Sequence, residues 1–304
     1  MQKDNNLKSY LNLHLIVFIW GFTAILGELI TIKEAPVVWY RMLLAGIFML
    51  IYVLVTKKPW RIPGKSFFHL ISVGLIIALH WIFFFKAINV SNVSITLAVF
   101  STGAFFASIM EPIFFNRKML WYEVFFGLII IGGLLMIMQV ETHYVLGMVY
   151  ALISVFLGVT FTLFNGKLIQ KYDPSVITLY EFFAGVFFVS LYLLYDGQFT
   201  AEFFSVSQHD WILLLVLSSV CTAYAFTASV NVMKKLTPYT VMLTTNMEPV
   251  YGIMLAYIIL GDKEKMSPAF YIGAVIILAT VILNGILKNY TAKKSLLSDK
   301  QSNS

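Results

Sequence analysis

One short segment of this chain combines residue types that can handle a charged ligand or a proton. Asn246-Met247-Glu248-Pro249 lies inside an apolar run from Tyr239 to Leu260. A helix of about 20 residues crosses the ~30 Å hydrocarbon core of a bilayer, so the acid falls near mid-depth. An ionisable group there costs several kcal/mol unless it faces a cavity or a partner. Glu248 and Asn246 are therefore predicted to bind substrate or a proton; the alternative is a protonated acid bonded to a neighbouring helix.

Pro249 predicts that the helix around this acid is interrupted. Proline has no backbone N–H, so the carbonyl near position 245 loses its helical partner. Polar neighbours satisfy such groups inside a membrane, and Thr244, Thr245 and Asn246 are at hand.

Arg41 is the second candidate for chemistry. Its planar guanidinium suits bidentate contact with a carboxylate or a phosphate, which predicts an anchor for an anionic substrate. A structural ion pair with Glu28, at similar depth on the preceding apolar run, is the alternative. Both hold if substrate exchanges for Glu28, which makes Glu28 a further candidate for binding substrate or a proton.

Three further ionisable residues lie within apolar runs. His80 is a candidate proton shuttle, because histidine titrates near neutral pH; packing against Trp81 with a helix carbonyl as partner is the alternative. Glu111, which precedes Pro112, and Glu181 are predicted gate or proton-relay residues, with interfacial anchoring as the alternative for each.

The elements that position these residues follow from the composition. The 304 residues are 60% hydrophobic and 12% charged, with a mean hydropathy of +0.84. Soluble domains carry about 25% charged residues, so this is a polytopic membrane protein. The single cysteine, Cys221, excludes a disulfide framework.

Ten apolar runs have spanning length, which predicts an all-α fold of ten transmembrane helices. They are separated by short connections. They cover roughly 11–32, 36–56, 67–88, 93–115, 120–140, 144–166, 175–195, 210–233, 239–260 and 268–287.

The loop charges predict that both termini lie in the cytoplasm. With the N-terminus inside, 16 of the 21 Lys and Arg residues fall in cytoplasmic segments. Such a bias orients membrane proteins with the positive side inside. It also accounts for the net charge of +6 without a nucleic-acid partner. The cytoplasmic residues are Lys3, Lys8, Lys57, Lys58, Arg61, Lys65, Arg117, Lys118, Lys167, Lys171, Lys234, Lys235, Lys288, Lys293, Lys294 and Lys300.

The chain also repeats itself. A shift of 146 residues lays 91–137 on 237–283 without a gap, with Gly127 on Gly273. A looser match sets Trp20-Gly21 against Leu157-Gly158. Each unit has five spans, an odd number, so the second copy is predicted to be inverted. Inverted repeats are typical of secondary transporters, with the substrate site near the midplane.

Several short motifs resemble the EamA family of the drug/metabolite transporter superfamily. They are Trp20-Gly21-Phe22, Pro36 and Arg41 at the start, and Pro249, the turn 261–264 and Gly273-Ala274 at the close. The resemblance covers about residues 11–287. It implies a ten-helix carrier that moves small metabolites, often outward, without ATP, and it adds Trp20 to the candidate binding residues.

The predicted function is secondary active transport of small organic metabolites, amino acids or related compounds, across a bacterial inner membrane by alternating access. Export is the expected direction. The predicted units are 11–140 and 144–288, one five-helix repeat each, and a basic cytosolic tail, 289–304. The expected partners are a small-molecule substrate, the lipid bilayer and protons; no cofactor or metal is expected, and the sequence carries no signal for an oligomeric state.

The alternatives are an uptake permease and a membrane protein without flux of its own. An enzyme is not expected, because the acids are scattered singly and the chain has no phosphate-binding loop or His-Glu-x-x-His motif.

Overall fold

A computed structural model of the chain describes the backbone of residues 2–116, 119 and 121–302. Side chains are described for residues 8–116, 119, 121, 122, 125–238, 240–280 and 282–287. Some residues of the charge argument lie outside these ranges: the pair Arg117-Lys118, and the side chains of Lys3, Lys288 and the predicted tail 289–304.

Helices make up the described chain, and no strand occurs in those ranges. The α-helices are α1 (Gln2–Leu29), α2 (Glu34–Val55), α3 (Gly64–Val90), α4 (Val93–Phe100), α5 (Gly103–Phe115), α6 (Trp121–Val140), α7 (Val145–Leu168), α8 (Pro174–Tyr195), α9 (Ala201–Phe204), α10 (Gln208–Ser218), α11 (Ala225–Val232), α12 (Pro238–Thr245), α13 (Glu248–Leu260) and α14 (Pro268–Ser302).

Nine helical segments within the described residues are long and apolar enough to cross a membrane. The tenth predicted span corresponds to α6, in which the residues with described side chains include the apolar stretch Phe125–Val140. Large apolar side chains cover the outside of the molecule, with Trp121 and Tyr195 exposed by 79% and 93%. Such a surface requires lipid around it, since water-soluble monomers rarely expose large contiguous apolar patches. The protein is a multi-pass membrane protein.

Close helix packing depends on small residues. Gly21 of α1 lies against Gly252 of α13, where an added Cβ would come within 3.2 Å of the Gly252 nitrogen. Gly133 of α6 and Gly273 of α14 approach each other in the same way. Small residues let helix backbones approach closely in membranes, where dispersion contacts replace the hydrophobic drive.

Three of the spanning segments are interrupted. The segment that begins at Val93 breaks into α4 and α5 at Ser101-Thr102, and the segment with Glu248 breaks into α12 and α13 at Asn246-Met247. The two broken segments match in length, with 8 and 13 residues in each case. Between α10 and α11, residues Ser219–Tyr224 form a π-helical turn.

The loops fall at two ends of the molecule. One end, called the lysine end, carries Lys58 and the α11–α12 loop with Lys234-Lys235. These loops share an end because Thr178, near the start of α8, meets Thr227 of α11 at 3.1 Å, and Asp173 before α8 contacts Lys58. The other end, called the Glu264 end, carries the turn Gly261–Glu264 and the starts of α4 and α10.

Candidate functional site

Arg41 of α2 is held from two sides. Its Nε donates to the Thr222 hydroxyl at 2.6 Å, and its guanidinium lies over the Trp81 ring with the carbon 3.8 Å from the ring centre. The side chain is 2% exposed, and its Nη1 has no hydrogen-bond partner in the described part of the chain. No described residue forms an ion pair with it. Arg41 is thus fixed in position, and its Nη1 donor remains without an acceptor among the described residues.

The π-helical turn supplies hydrogen-bond partners for both Arg41 and Trp20. The Thr222 hydroxyl donates to the Leu217 carbonyl at 2.7 Å while it accepts from Arg41. The Cys221 carbonyl, released from the regular helical pattern, accepts from Trp20 Nε1 at 3.2 Å. π-turns of this kind are frequent at functional sites. One local distortion therefore anchors two of the predicted site residues.

The break between α12 and α13 places Glu248 at a helix N-terminus. Asn246 Nδ2 donates to the carbonyls of Met242 and Leu243 at 3.0 and 3.3 Å, so its side chain satisfies the end of α12. The prediction had put the freed carbonyl near position 245; the capped ones lie earlier, because the amide folds back along its own helix. Glu248 is the first residue of α13 and 6% exposed, and a helix N-terminus favours a carboxylate.

His80 of α3 is oriented by Ser154 of α7. Its Nδ1 lies 2.7 Å from the Ser154 carbonyl oxygen, which only accepts, so Nδ1 carries the proton. The Ser154 hydroxyl donates to the His80 carbonyl at 2.7 Å. Phe161 packs edge-on against the ring, with the centroids 5.2 Å apart. The expected helix-carbonyl partner is therefore present, and it comes from α7.

These residues surround one cavity. Trp20, Arg41, His80, Asn246 and Glu248 all line it, and it holds about 850 Å³ of empty space, counting its open end. Most of the remaining wall is aromatic or bears small hydroxyls, and none of these residues is among the predicted site residues. These wall residues are Trp81, Phe84, Phe100, Phe161, Phe226, Thr23, Thr162, Ser229 and Thr245. For the hydroxyl-bearing residues, the sequence signal that could have identified them is their occurrence inside otherwise apolar spans.

The cavity reaches toward the lysine end. Met233, Val241 and Met242, beside the α11–α12 loop, are part of its wall, whereas no described residue of the Glu264 end lines it. The wall draws on α1 to α4 and on α7 and α11 to α13, so the cavity lies between the two halves of the chain.

The remaining predicted residues lie elsewhere. Glu28, half-buried, interacts electrostatically with Glu264 and Lys263, and no ion pair joins it to Arg41 among the described side chains. The proposed Arg41–Glu28 pair is thus absent, because Glu28 lies at the Glu264 end and Arg41 deeper. Glu111 is buried on α5 away from the cavity wall.

Glu181 of α8 is fully buried beside the cavity's wall helices but does not line the space. Asn165 Nδ2 donates to its Oε2 at 3.4 Å, while Oε1 has no partner in the described part of the chain. A buried acid with one weak bond suits the predicted relay role, although no described group links it to the cavity.

At the Glu264 end, side chains tie separate helices together. The Glu264 carboxylate, 2% exposed, accepts from the backbone nitrogens of Ser94 and Val93 at 2.8 and 3.2 Å, at the start of α4. Asp210 of α10 accepts from the backbone and hydroxyl of Thr31 at 3.0 and 2.6 Å. These charge-assisted bonds close that end of the molecule.

At the lysine end, one ion pair joins the two halves. Lys58 Nζ lies 2.8 Å from Asp173, which also caps α8 through the Ser175 nitrogen at 2.9 Å. Burial alone would raise the pKa of the Asp173 carboxyl, but the bonds from Lys58 and Ser175 outweigh it and hold the pKa below its usual value.

The fold and the buried cavity define a multi-pass membrane protein with a cavity between its two halves, which is where solute carriers hold their substrate site. The sequence profile of the EamA-like transporter family matches residues 7–139 and 145–286. The chain belongs to this family.

Individual proteins of similar sequence are also named as transporters. An uncharacterized transporter from Archaeoglobus fulgidus is 25% identical and spans 91% of this chain and 97% of its own length. The uncharacterized transporter YxxF from Bacillus subtilis is 20% identical, covering 93% of both chains. A solved protein crystal structure superposes with a TM-score of 0.69 at 14% identity, over 93% of this chain and 98% of the other, which shows a shared fold.

Proposed function

We propose that this protein exports small organic metabolites, amino acids or related compounds, across a bacterial inner membrane by alternating access. The observation that carries the proposal is the cavity, which places Arg41 and Glu248 between the two family segments. Buried ionisable groups that face a cavity in a membrane are typical of substrate and ion pathways.

The proposed architecture has ten spans, with both termini in the cytoplasm and the units 11–140 and 144–288 as inverted repeats. The equal lengths of the broken segments, α4 with α5 and α12 with α13, support equivalent roles in the two units. In carriers built this way, broken helices meet at the substrate site near the midplane.

The proposed orientation is compatible with export. With the lysine end in the cytoplasm, as the positive-inside bias indicates, the cavity extends toward the cytoplasm, and hydrogen bonds hold the Glu264 end together. This is the state in which an exporter loads its substrate. Release then requires the Glu264 contacts to open and the Lys58–Asp173 end to close around the site.

In this mechanism Arg41, Glu248, Asn246, His80 and Trp20 contact the substrate or a proton. Glu248 is the proposed proton-binding group, and Glu28, Glu111 and Glu181 take gate or relay roles outside the cavity.

Metabolite profiling of spent medium tests the proposal. Cells overproducing wild type, Glu248→Gln or Glu202→Gln at matched levels are compared; Glu202 is an exposed glutamate on α9 and serves as control. We expect a small set of compounds enriched by wild type and by Glu202→Gln, but not by Glu248→Gln. Depletion of a compound from the medium would instead identify an uptake permease. Purified protein that moves no compound of a broad panel into sealed vesicles would end the transporter proposal.

A further inference from the structure

The charged groups of the cavity wall are unevenly satisfied. In the described residues the wall carries Arg41, Glu248 and His80 as its charged or titratable members. His80 has a fixed partner in Ser154, and Glu248 lies at a helix N-terminus. Arg41 alone is a fully buried cation, with one neutral hydrogen bond and no ion pair among the described side chains. The Nη1 donor of Arg41 therefore lacks an acceptor in the described part of the chain, and an anionic ligand would supply one.

The geometry restricts where that anion binds. Thr222 occupies Nε and Trp81 covers one face of the guanidinium, which leaves the edge with the two Nη nitrogens. That edge is one of those on which a guanidinium binds an oxyanion through two parallel N–H donors, and it is the one that Thr222 leaves unoccupied. Because Thr222 and Trp81 already hold the Arg41 side chain in place, ligand binding costs little side-chain conformational entropy.

The charge balance favours one negative charge. Glu248 lies on the same wall, and its carboxylate repels a second negative charge, while the described wall offers no other arginine and no lysine. The thiol of Cys221 and the ring of His80 are the other titratable groups that neighbouring elements bring near Arg41. A dianionic phosphate would therefore meet one cation and one acid.

The wall beyond Arg41 determines the rest of the ligand. Trp81, Phe84, Phe100, Phe161 and Phe226 present ring surfaces to the cavity. These ring surfaces favour a flat or apolar body for the rest of the ligand.

We infer that the ligand of this cavity is an organic monoanion, a carboxylate on an aromatic or otherwise apolar body, held by the Nη edge of Arg41 in competition with the Glu248 carboxylate. The inference rests on the proposed function and deepens it by naming the substrate class. The competition gives a distinctive consequence: neutralising Glu248 strengthens carboxylate binding while it impairs transport.

Binding of three probes of similar shape to purified protein in detergent tests this inference. Benzoate is the carboxylate, benzamide its neutral counterpart and phenyl phosphate the dianion, and titration is followed by calorimetry at neutral and mildly alkaline pH. We expect benzoate to bind at millimolar concentration or better, and benzamide and phenyl phosphate to bind severalfold more weakly. Benzoate binding to wild type weakens as the pH rises, whereas Glu248→Gln binds severalfold more tightly and loses that pH dependence.

Arg41→Gln abolishes benzoate binding, and Arg61→Gln, at an exposed loop position, leaves it unchanged. If Arg41→Gln does not fold, the Glu248→Gln arm decides. Four results would each overturn the inference. Benzamide could bind as tightly as benzoate, or phenyl phosphate could bind more tightly than benzoate. Benzoate could also fail to bind at all, or could bind more weakly to Glu248→Gln than to wild type. Flux of neutral or cationic compounds alone would also refute it and leave the transporter intact; benzoate binding without flux of any compound would refute the proposed function instead.

Discussion

Gly158 of α7 lies directly against the ring of His80 on α3. A Cβ added at Gly158 would be 3.1 Å from Cε1 and 3.2 Å from Nδ1 of the imidazole. The glycine therefore gives His80 the room to reach the Ser154 carbonyl one turn earlier on the same helix.

Gly158→Ala should move the His80 ring and reduce transport severalfold. Overpacking costs about 1–3 kcal/mol, partly offset by the better helix propensity of alanine, so the protein should still fold. Vesicle flux and thermal unfolding measure the two effects. Gly132→Ala on α6, where nothing lies within 4 Å of the added Cβ, is the matched control. Equal flux in both variants would show that the ring position does not matter.

Thr222→Val should lower both stability and transport. Valine keeps the shape of threonine but leaves Arg41 Nε without its 2.6 Å partner. Loss of one partner of a buried charged hydrogen bond costs about 1–3 kcal/mol. Thermal unfolding in detergent should show the loss in Thr222→Val and little change in Thr160→Val, whose hydroxyl bonds only to its own helix. Wild-type stability in Thr222→Val would mean that Arg41 has another way to satisfy Nε.

Glu264→Gln should loosen the Glu264 end. The amide removes the negative charge and one of the two acceptors that bind the first backbone nitrogens of α4. We expect the free energy of unfolding to fall by about 1–2 kcal/mol. Asp262→Asn is the control, because the Asp262 side chain is 89% exposed and pairs with the neighbouring Lys265. A similar effect of both substitutions on the melting temperature would contradict a specific role for Glu264.

Acid should weaken the lysine end through Asp173. The pKa of this carboxyl lies below the ordinary 3.8, so its stabilising contribution is complete above that value and is lost as the pH falls through the lower, folded-state pKa. Melting temperatures from neutral pH down to strongly acidic pH should fall more steeply for wild type than for Asp173→Asn. Parallel curves would show that other carboxylates govern the acid sensitivity.

Sequence reasoning identified the residues whose types are costly in a membrane. Arg41, His80, Glu248 and Asn246 stood out because each is expensive in an apolar span, and all four line the cavity. The break at Asn246-Met247 followed from Pro249, since a missing N–H is a local property. The profile of the EamA-like family confirms the resemblance.

Partners across helices were beyond such reasoning. The sequence predicts similar depths for Glu28 and Arg41, whereas the structure has Glu28 at the Glu264 end and Arg41 deeper. Position along the sequence also carries no information on the direction of a side chain around its helix. Thr222 and Ser154 are small and common in membrane helices, so nothing in their type indicates that one holds Arg41 and the other His80. The π-helical turn contains neither proline nor glycine, and its sequence resembles any other helical segment.

The π-helical turn also indicates how the binding site can change in evolution. A π-turn holds one residue more than the α-helix would need, so it behaves as a single-codon insertion. Deleting one residue between Ser219 and Tyr224 would restore a regular helix and withdraw both the Cys221 carbonyl from Trp20 and the Thr222 hydroxyl from Arg41. The rest of α10 and α11 would keep its composition. One deletion would thus alter the binding site without touching a charged residue, which makes this position a place where relatives can diverge in what they carry.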